Sequence, residues 1–291
     1  MVARVFNKVR RLARDMAARS LQPKSIPVVY FTDRPNVGDL LNEYIIPKIT
    51  GRKIIKVSSS AAPHLRAVGS VIGSSSRFSH VWGSGSIDGE IPARRLDYKK
   101  IYALRGENTR KLISCAFGFD LSHIPLGDPA LLMPEFYSPS VIPGHTVGIV
   151  AHFSDELIVE KYIKETLPSN IKLISVGQEP EKFVLDMLSC KYILSSSLHG
   201  LILADAYRIP NRWIKMSDRL LGGEFKFHDY YSTTDALVGS PVTVANARFM
   251  FSIADRVDEF CRVNNYLYRK EELMGSFPTR YLGACNVRRD F

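Results

Sequence analysis

Three short stretches place charged or proton-carrying side chains beside glycine, at points where an apolar run gives way to a helical pattern. The first is Asn36-Val37-Gly38-Asp39. A loop at the carboxyl end of a strand is where open α/β sheets bind ligands. There Asn36 and Gly38 could shape a binding turn. Asp39 could orient a sugar hydroxyl or act as an acid or base; it could equally serve only as a helix cap. The second is Ser195-Ser196-Ser197-Leu198-His199-Gly200. Hydroxyls, backbone N–H groups and an imidazole at a helix start make an anion site. His199 belongs to the residue type that changes charge nearest neutral pH, so it could pass a proton or hold a phosphate oxygen. The serines could instead form a loop held by its own hydrogen bonds. The G-x-S-x-G elbow of serine hydrolases is absent. The third is Arg105, in Ala103-Leu104-Arg105-Gly106-Glu107. A guanidinium there could clamp a phosphate or carboxylate with two bonds, or form an ion pair between domains.

Two further residues join these candidates. Asp128, in Gly127-Asp128-Pro129, could support the site from behind or shape a turn. His80, beside Val81 and Trp82, could line an acceptor side. The remaining histidines, His64, His123, His145, His152 and His228, show no H-E-x-x-H or similar spacing, so no metal is expected.

The elements that must position these residues follow from hydropathy. Strands are predicted at residues 26–31, 53–57, 66–72, 80–82 and 101–104, and helices at 40–49 and 107–113, the first capped by Asp39. Pro47 falls at or near the end of its helix. Four prolines between residues 126 and 144 read as a linker. A second alternation follows, with strands at 146–150, 172–176, 192–194 and 212–214 and helices at 155–163, 180–188 and 200–207. Trp213 and Tyr207 read as core. Alternating strands and helices predict an α/β protein with mostly parallel sheets. Each half has its own βαβ pattern, so two Rossmann-like domains with a cleft between them are expected. The divisions are residues 1–135, 136–240 and a helical segment 241–291. In that last segment Phe249, Ile253, Val257 and Cys261 form a stripe that could pack back across both domains, and 286–291 is a polar tail. The G-x-G-x-x-G fingerprint and the P-loop are absent, which argues against standard nicotinamide and ATP sites.

Composition bounds the function. The chain has 291 residues, 45% hydrophobic and 23% charged, which suits a folded chain of about two domains and excludes disorder. Lys plus Arg number 39 and Asp plus Glu 29, a net charge of +10. That excess suits nucleic acid, an anionic membrane surface or an anionic small substrate. The basic residues are scattered rather than interleaved with aromatics, which disfavours nucleic acid. Cys115, Cys190, Cys261 and Cys285 have no CxxC spacing, so a reduced compartment is expected. Six basic residues and one acid, Asp15, lie between Arg4 and Arg19. Val2, Phe6, Val9, Ala13 and Met16 recur at helical spacing among them. This is a basic amphipathic helix, packed on the domain, lying on a membrane surface or serving as a transit peptide, and no secretory signal is read.

The segments NVGDLLNEYI, ALRGENTRKLI, LGDPALL and SSSLHGLILADAYRIP occur in this order. Together they closely resemble the polysaccharide pyruvyl transferase family, over roughly residues 28–229, and within it the exopolysaccharide ketal-pyruvate transferases. The resemblance implies a two-domain, glycosyltransferase-B-like fold with the site in the central cleft. It implies transfer of a pyruvyl group from phosphoenolpyruvate to a hexose of a surface or exported polysaccharide, or of its lipid-linked repeat unit. The product is a pyruvate ketal and the leaving group is phosphate. Phosphoenolpyruvate is a donor substrate; no cofactor is implied. The expected location is cytoplasmic, peripheral at the inner membrane face. The family's acidic, arginine and histidine positions match Asp39, Arg105 and His199. Ser197 stands where many relatives carry arginine, and Arg77, Arg208 and Lys215 are candidate compensating cations. A nucleotide-sugar glycosyltransferase and a non-catalytic polysaccharide-assembly protein are the alternatives.

Overall fold

The apolar runs become two five-stranded parallel sheets. The computed structural model describes residues 2–31, 34–58, 61–91, 96–163, 167–236 and 240–279. The first sheet comprises β1 (Ile26–Val28), β2 (Ile54–Lys56), β3 (His64–Arg66), β4 (Ser79–Trp82) and β5 (Ile101–Ala103), in the order β2-β1-β3-β4-β5. The second comprises β6 (His145–Ala151), β7 (Ile171–Ser175), β8 (Cys190–Ser195), β9 (Asn211–Lys215) and β10 (Val242–Thr243), in the order β10-β9-β8-β6-β7. Every pairing is parallel. Read from its own first strand, each sheet has the order 2-1-3-4-5. Each therefore has a switch point, between β1 and β3 in one and between β6 and β8 in the other. The crevice beyond the strand ends at such a point is where α/β sheets take ligands.

Helices join and cover the strands: α1 (Val2–Leu21), α2 (Val37–Thr50), α3 (Glu107–Phe117), α4 (Met133–Phe136), α5 (Glu156–Ile163), α6 (Pro180–Leu188), α7 (Leu198–Ala206) and α8 (Phe225–Tyr231). α9 (Ala247–Ala254), α10 (Val257–Phe260) and α11 (Lys270–Gly275) complete the chain's described part. α2 starts three residues earlier than its apolar spacing suggested. Its cap is Asn36, whose side chain accepts from the Gly38 N–H at 3.2 Å, and not Asp39. Pro47 lies in the last turn, and Gly51 closes the helix in the left-handed region at φ 65°.

One continuous apolar core runs through both halves. It joins Val28, Leu41 and Ile45 of the first to Val150, Ile193 and Leu201 of the second. Each such side chain, fully buried, contributes about 1.5–3 kcal/mol. The proline-rich stretch expected to be a linker is partly core. Pro129, Ala130, Leu131, Leu132 and Met133 are all buried, in a short 3-10 turn that runs into α4. The prolines supplied turns, and the apolar Ala-Leu-Leu-Met between them supplied a wedge. Residues 67–71, expected as strand, leave the sheet after Arg66.

The closing helix is also rearranged. It breaks between α9 and α10, and Met250, Ile253, Ala254 and Val257 pack on the second sheet alone. Phe249 faces outward. The segment that crosses back is later. The Trp82 indole N–H donates to the Leu273 carbonyl at 2.9 Å, and Phe277 packs edge-on against Trp82 at 4.9 Å. In α1, Asp15 is buried and accepts from the Ser58 N–H at 3.0 Å, while Met16 and Arg10, Arg11 and Arg14 are exposed. The expected apolar stripe continues through Val2, Phe6 and Val9, which lie outside the residues whose side chains are described, as do Cys285 and the tail 286–291.

Candidate active site

The two switch points meet. Val37 at the start of α2 donates its N–H to the Val176 carbonyl beyond β7, at 2.6 Å. Next to it, the His199 imidazole from the start of α7 lies against Gly38. A Cβ placed on Gly38 would sit 2.0 Å from His199 Nδ1, so only glycine admits the ring. Behind the ring is Asp128. One carboxylate oxygen caps the 3-10 turn, accepting from the Ala130 N–H at 3.0 Å. The other points at His199 Nε2 across 3.6 Å. Neither of these two facing atoms has another hydrogen-bond partner among the described residues. The separation is an ion-pair distance, slightly too long for a hydrogen bond. Asp128 therefore both shapes its turn and supports the histidine.

Asp39 is on the other side of the contact, in the first turn of α2. It is buried, and its carboxylate accepts from the Phe31 N–H at 3.1 Å. Burial pushes its pKa up to about 6, against the opposing pull of His199 and Lys56. A carboxylate so tuned is a competent base at neutral pH.

The serine string divides by role. Ser195 donates to the carbonyls of Ser197 and Val150, at 2.8 and 3.2 Å. Gly200 leaves room for it, because a Cβ there would lie 2.4 Å from the Ser195 hydroxyl. Ser196 donates to Asp155 at 2.9 Å and accepts from the His152 N–H at 2.9 Å. These two hydroxyls build the loop. Ser197 is the residue before α7, but its hydroxyl caps nothing, and the first N–H groups of α7 have no side-chain acceptor.

Two expectations change. Arg105 is fully buried, and its guanidinium nitrogens are all bound within the protein. Nε meets Asp229 of α8 at 2.8 Å, Nη1 the Ser70 hydroxyl at 2.5 Å and Nη2 the Ser86 carbonyl at 2.5 Å. As found, it ties α8 to the first sheet, the ion-pair reading, and offers no open fork. His80 is buried in β4, where its ring stacks on Tyr102 at 5.8 Å. Burial lowers its pKa to about 4, and it lines no open face. The compensating cations are elsewhere too. Lys215 pairs with Asp218 and Glu224, Arg208 bonds Asn265, and Arg77 stacks on Phe78.

Two residues escaped the sequence reading. His152 follows β6, at the second switch point, and burial lowers its pKa to about 3. Its position after a parallel strand was the available signal. Lys226 on α8 is buried and carried no signal in the sequence. Among the described residues no cluster of His, Cys, Asp and Glu could hold a metal, and no helix is long and apolar enough to cross a membrane.

Comparison with known proteins places the chain. The model of the polysaccharide pyruvyl transferase family matches residues 34–218. Uncharacterized protein L143 of Acanthamoeba polyphaga mimivirus is 30% identical over 217 residues, covering 72% of this chain and 74% of that protein. Among solved structures, the wall teichoic acid polymerase TagF overlays with a TM-score of 0.40 at 11% identity, covering 98% of this chain and 94% of that one. Protein KP1_0663 of Klebsiella pneumoniae subsp. pneumoniae NTUH-K2044 overlays at 0.38 and 14%, covering 76% and 92%. These overlays are loose and add nothing to the two-sheet architecture. The matched family segment begins just before the Asn36–Asp39 loop and ends beyond α7, enclosing Asp39, Arg105, Asp128 and His199: the chain belongs to the polysaccharide pyruvyl transferase family and is an enzyme of pyruvyl transfer in polysaccharide biosynthesis.

Proposed function

We propose that the donor is phosphoenolpyruvate and that the reaction takes place where Asp128, His199 and Asp39 converge. The carrying observation is the 3.6 Å approach of Asp128 to His199 Nε2, between two otherwise unsatisfied buried atoms. A carboxylate behind an imidazole fixes its tautomer and orientation and stabilises the charged ring. A glycosyltransferase-B-like arrangement, with the acceptor entering between the facing sheet ends, suits this placement.

The chemistry balances with these groups. His199 gives a proton to the methylene carbon of phosphoenolpyruvate, and C2 becomes electrophilic. A sugar hydroxyl adds to C2 while Asp39 takes its proton. The C2–phosphate bond breaks, and a second hydroxyl closes the ketal. The proton of that second hydroxyl leaves with the phosphate, and the proton on Asp39 returns to His199. The roles of His199 and Asp39 can exchange without altering the balance. Asn36 and Gly38 hold the loop that presents Asp39. The uncapped start of α7, with Ser197, offers N–H donors to an anionic group.

The acceptor proposed is a hexose of a lipid-linked repeat unit or of the polysaccharide. The exposed arginines of α1, with its one acid turned inward, suit an anionic membrane at the cytoplasmic face. The test is phosphate release from phosphoenolpyruvate with extracted lipid-linked oligosaccharides, with His199→Ala as control. Release should require acceptor, add a pyruvyl ketal to its mass, and fall ~10²–10⁴-fold in the variant. A folded protein that releases no phosphate across a broad acceptor panel overturns the reading.

A further inference from the structure

Three large cations are buried in the described structure, Arg66, Arg105 and Lys226. The first two spend their guanidinium groups on protein oxygens; Arg66, for instance, donates to the Val71 carbonyl at 2.7 Å and the Ser74 hydroxyl at 2.9 Å. Lys226 differs. It is 7% exposed, no hydrogen bond or ion pair holds its ammonium among the described residues, and its Nζ is not one of their fully buried unpaired atoms, so the stem is buried while the charged end keeps an accessible face. The Phe227 ring, with its centroid at 5.5 Å, is the partner it has. A ring face replaces only part of the hydration that burial removes. An ammonium so placed, held by no carboxylate and still accessible, can take an anion.

Its surroundings say where the anion belongs. One turn further along α8, Asp229 is locked to Arg105 and to the Thr109 N–H and hydroxyl. The helix is thereby fixed, and the lysine with it. Lys226 is within electrostatic reach of Arg105, which repels it, and of Asp155, which partly offsets that. Burial, with Arg105 adding, lowers its pKa to about 8, so it remains a cation at neutral pH. Contacts connect its helix to the site: Lys215 at the end of β9 pairs with Glu224, the residue before α8, at 3.3 Å, and Ser217 just after β9 donates to Asp155 at 2.5 Å, the same carboxylate that Ser196 binds before α7. The same loops hold Ser196, which binds Asp155, and Ser197, whose hydroxyl caps no N–H of α7 among the described residues.

We propose that Lys226 is an anion-binding residue that receives the phosphate of the donor at the second sheet's switch point. It acts there with the Ser197 hydroxyl and the first N–H groups of α7. This rests on the donor reading above and deepens it. An ammonium on a fixed helix is a point charge suited to a phosphate dianion. It would hold the group in place and stabilise its growing charge as the C2–oxygen bond breaks.

The test compares wild type, Lys226→Met and Lys226→Arg by calorimetric titration with inorganic phosphate and with phosphoenolpyruvate, alongside thermal melting without ligand. Wild type should bind both. Lys226→Met should bind each ~10–150-fold more weakly, the loss of one charged hydrogen bond. It should melt no lower than wild type, because the charge it removes has no counter-ion. Lys226→Arg should recover most of the affinity. Unchanged affinity in Lys226→Met overturns the proposal, and so does a melting point well below wild type, which assigns the lysine to the fold. Wild type that binds phosphate through Lys226 but not phosphoenolpyruvate upholds Lys226 and removes the donor reading. Wild type that binds neither overturns both.

Discussion

Asp229→Asn changes one atom at the seam between the sheets, and its cost can be worked from the contacts. Asp229 and Arg105 are both fully buried, 2.8 Å apart. The carboxylate also accepts from the Thr109 N–H at 2.7 Å and its hydroxyl at 2.8 Å. An asparagine keeps the shape and can keep the bond to the Thr109 N–H. It removes the only carboxylate paired with Arg105 among the described residues, and its amide N–H groups compete with the guanidinium as donors. Leaving a buried charge uncompensated costs about 3–5 kcal/mol. At about 2–4 °C per kcal/mol for a chain of this size, melting should fall by ~6–20 °C. Scanning calorimetry at neutral pH reads this directly, and the deficit should persist in high salt, because a buried pair is weakly screened. Glu259→Gln removes the partner of Arg256 in an exposed, solvent-screened pair and should leave the melting point almost unchanged, which sets the scale. Replacing Arg105 and Asp229 together by apolar residues of similar size should recover most of the loss. An Asp229→Asn melting point within about 1 °C of wild type would refute the reasoning, and Arg105 would again be open to a direct role on the donor.

Two further outcomes are expected. Burial raises Asp39 from its ordinary 3.8 to about 6, so its ionised form weakens the fold; the cost is absent below about pH 4 and complete above about pH 6. Asp39 alone should therefore withdraw about 3 kcal/mol across that window; burial also raises Asp205 to about 6, so Asp39→Asn should show a smaller fall than wild type rather than none, melt higher at pH 7.5 and lose turnover. With Asp39 as base, wild-type kcat/KM should also decline below about pH 6; a flat acid limb would remove it from that role. Gly38→Ala puts a methyl 2.0 Å from His199 Nδ1 and must displace the ring. Turnover should fall ~10²-fold with circular dichroism unchanged, since small misplacements of a reacting group cost that much.

The fold was legible where pattern and burial coincide. α6 spans the residues its spacing indicated; β1, β2 and β5 are shorter than expected, β6, β8 and β9 longer, β3 meets its expected run only at Arg66, and β10 was not expected. What failed had a physical cause in each case. Prolines at 129, 134, 139 and 143 spoke for a linker, but a buried Ala-Leu-Leu-Met run can be core while its prolines make the bends. The stripe from Phe249 to Cys261 ignored the break after Ala254, which turns Phe249 outward and brings Met250 in. At the site, Asp39 and His199 stood out because glycine neighbours and strand ends are local signals. The partner of Arg105 is 124 residues away, so an ion pair could be imagined but its other half could not be named. Lys226 is one of many lysines until burial and the missing counter-ion distinguish it.

The repeated strand order explains why the proposed chemistry sits on the seam. Each sheet alone supplies half of a site: Gly38 and Asp39 at the first switch point, His152, Ser197 and His199 at the second. Asp128, where the chain passes between the sheets, reaches back to His199 and joins them. Neither half holds both the proposed acid and the proposed base. In the proposed mechanism, holding the sheets in register is therefore part of catalysis as well as of stability. The contacts that do so are spread out: Arg105 with Asp229, Trp82 with Leu273, and Tyr44, which donates to Glu181 at 2.6 Å. They are not equivalent. Glu181 is exposed and Tyr44 only partly buried, so their bond can be re-formed after an opening at little cost. The Arg105–Asp229 pair is dry, so opening there strands two charges. An opening of the seam therefore costs less on the Tyr44 side than on the Arg105 side.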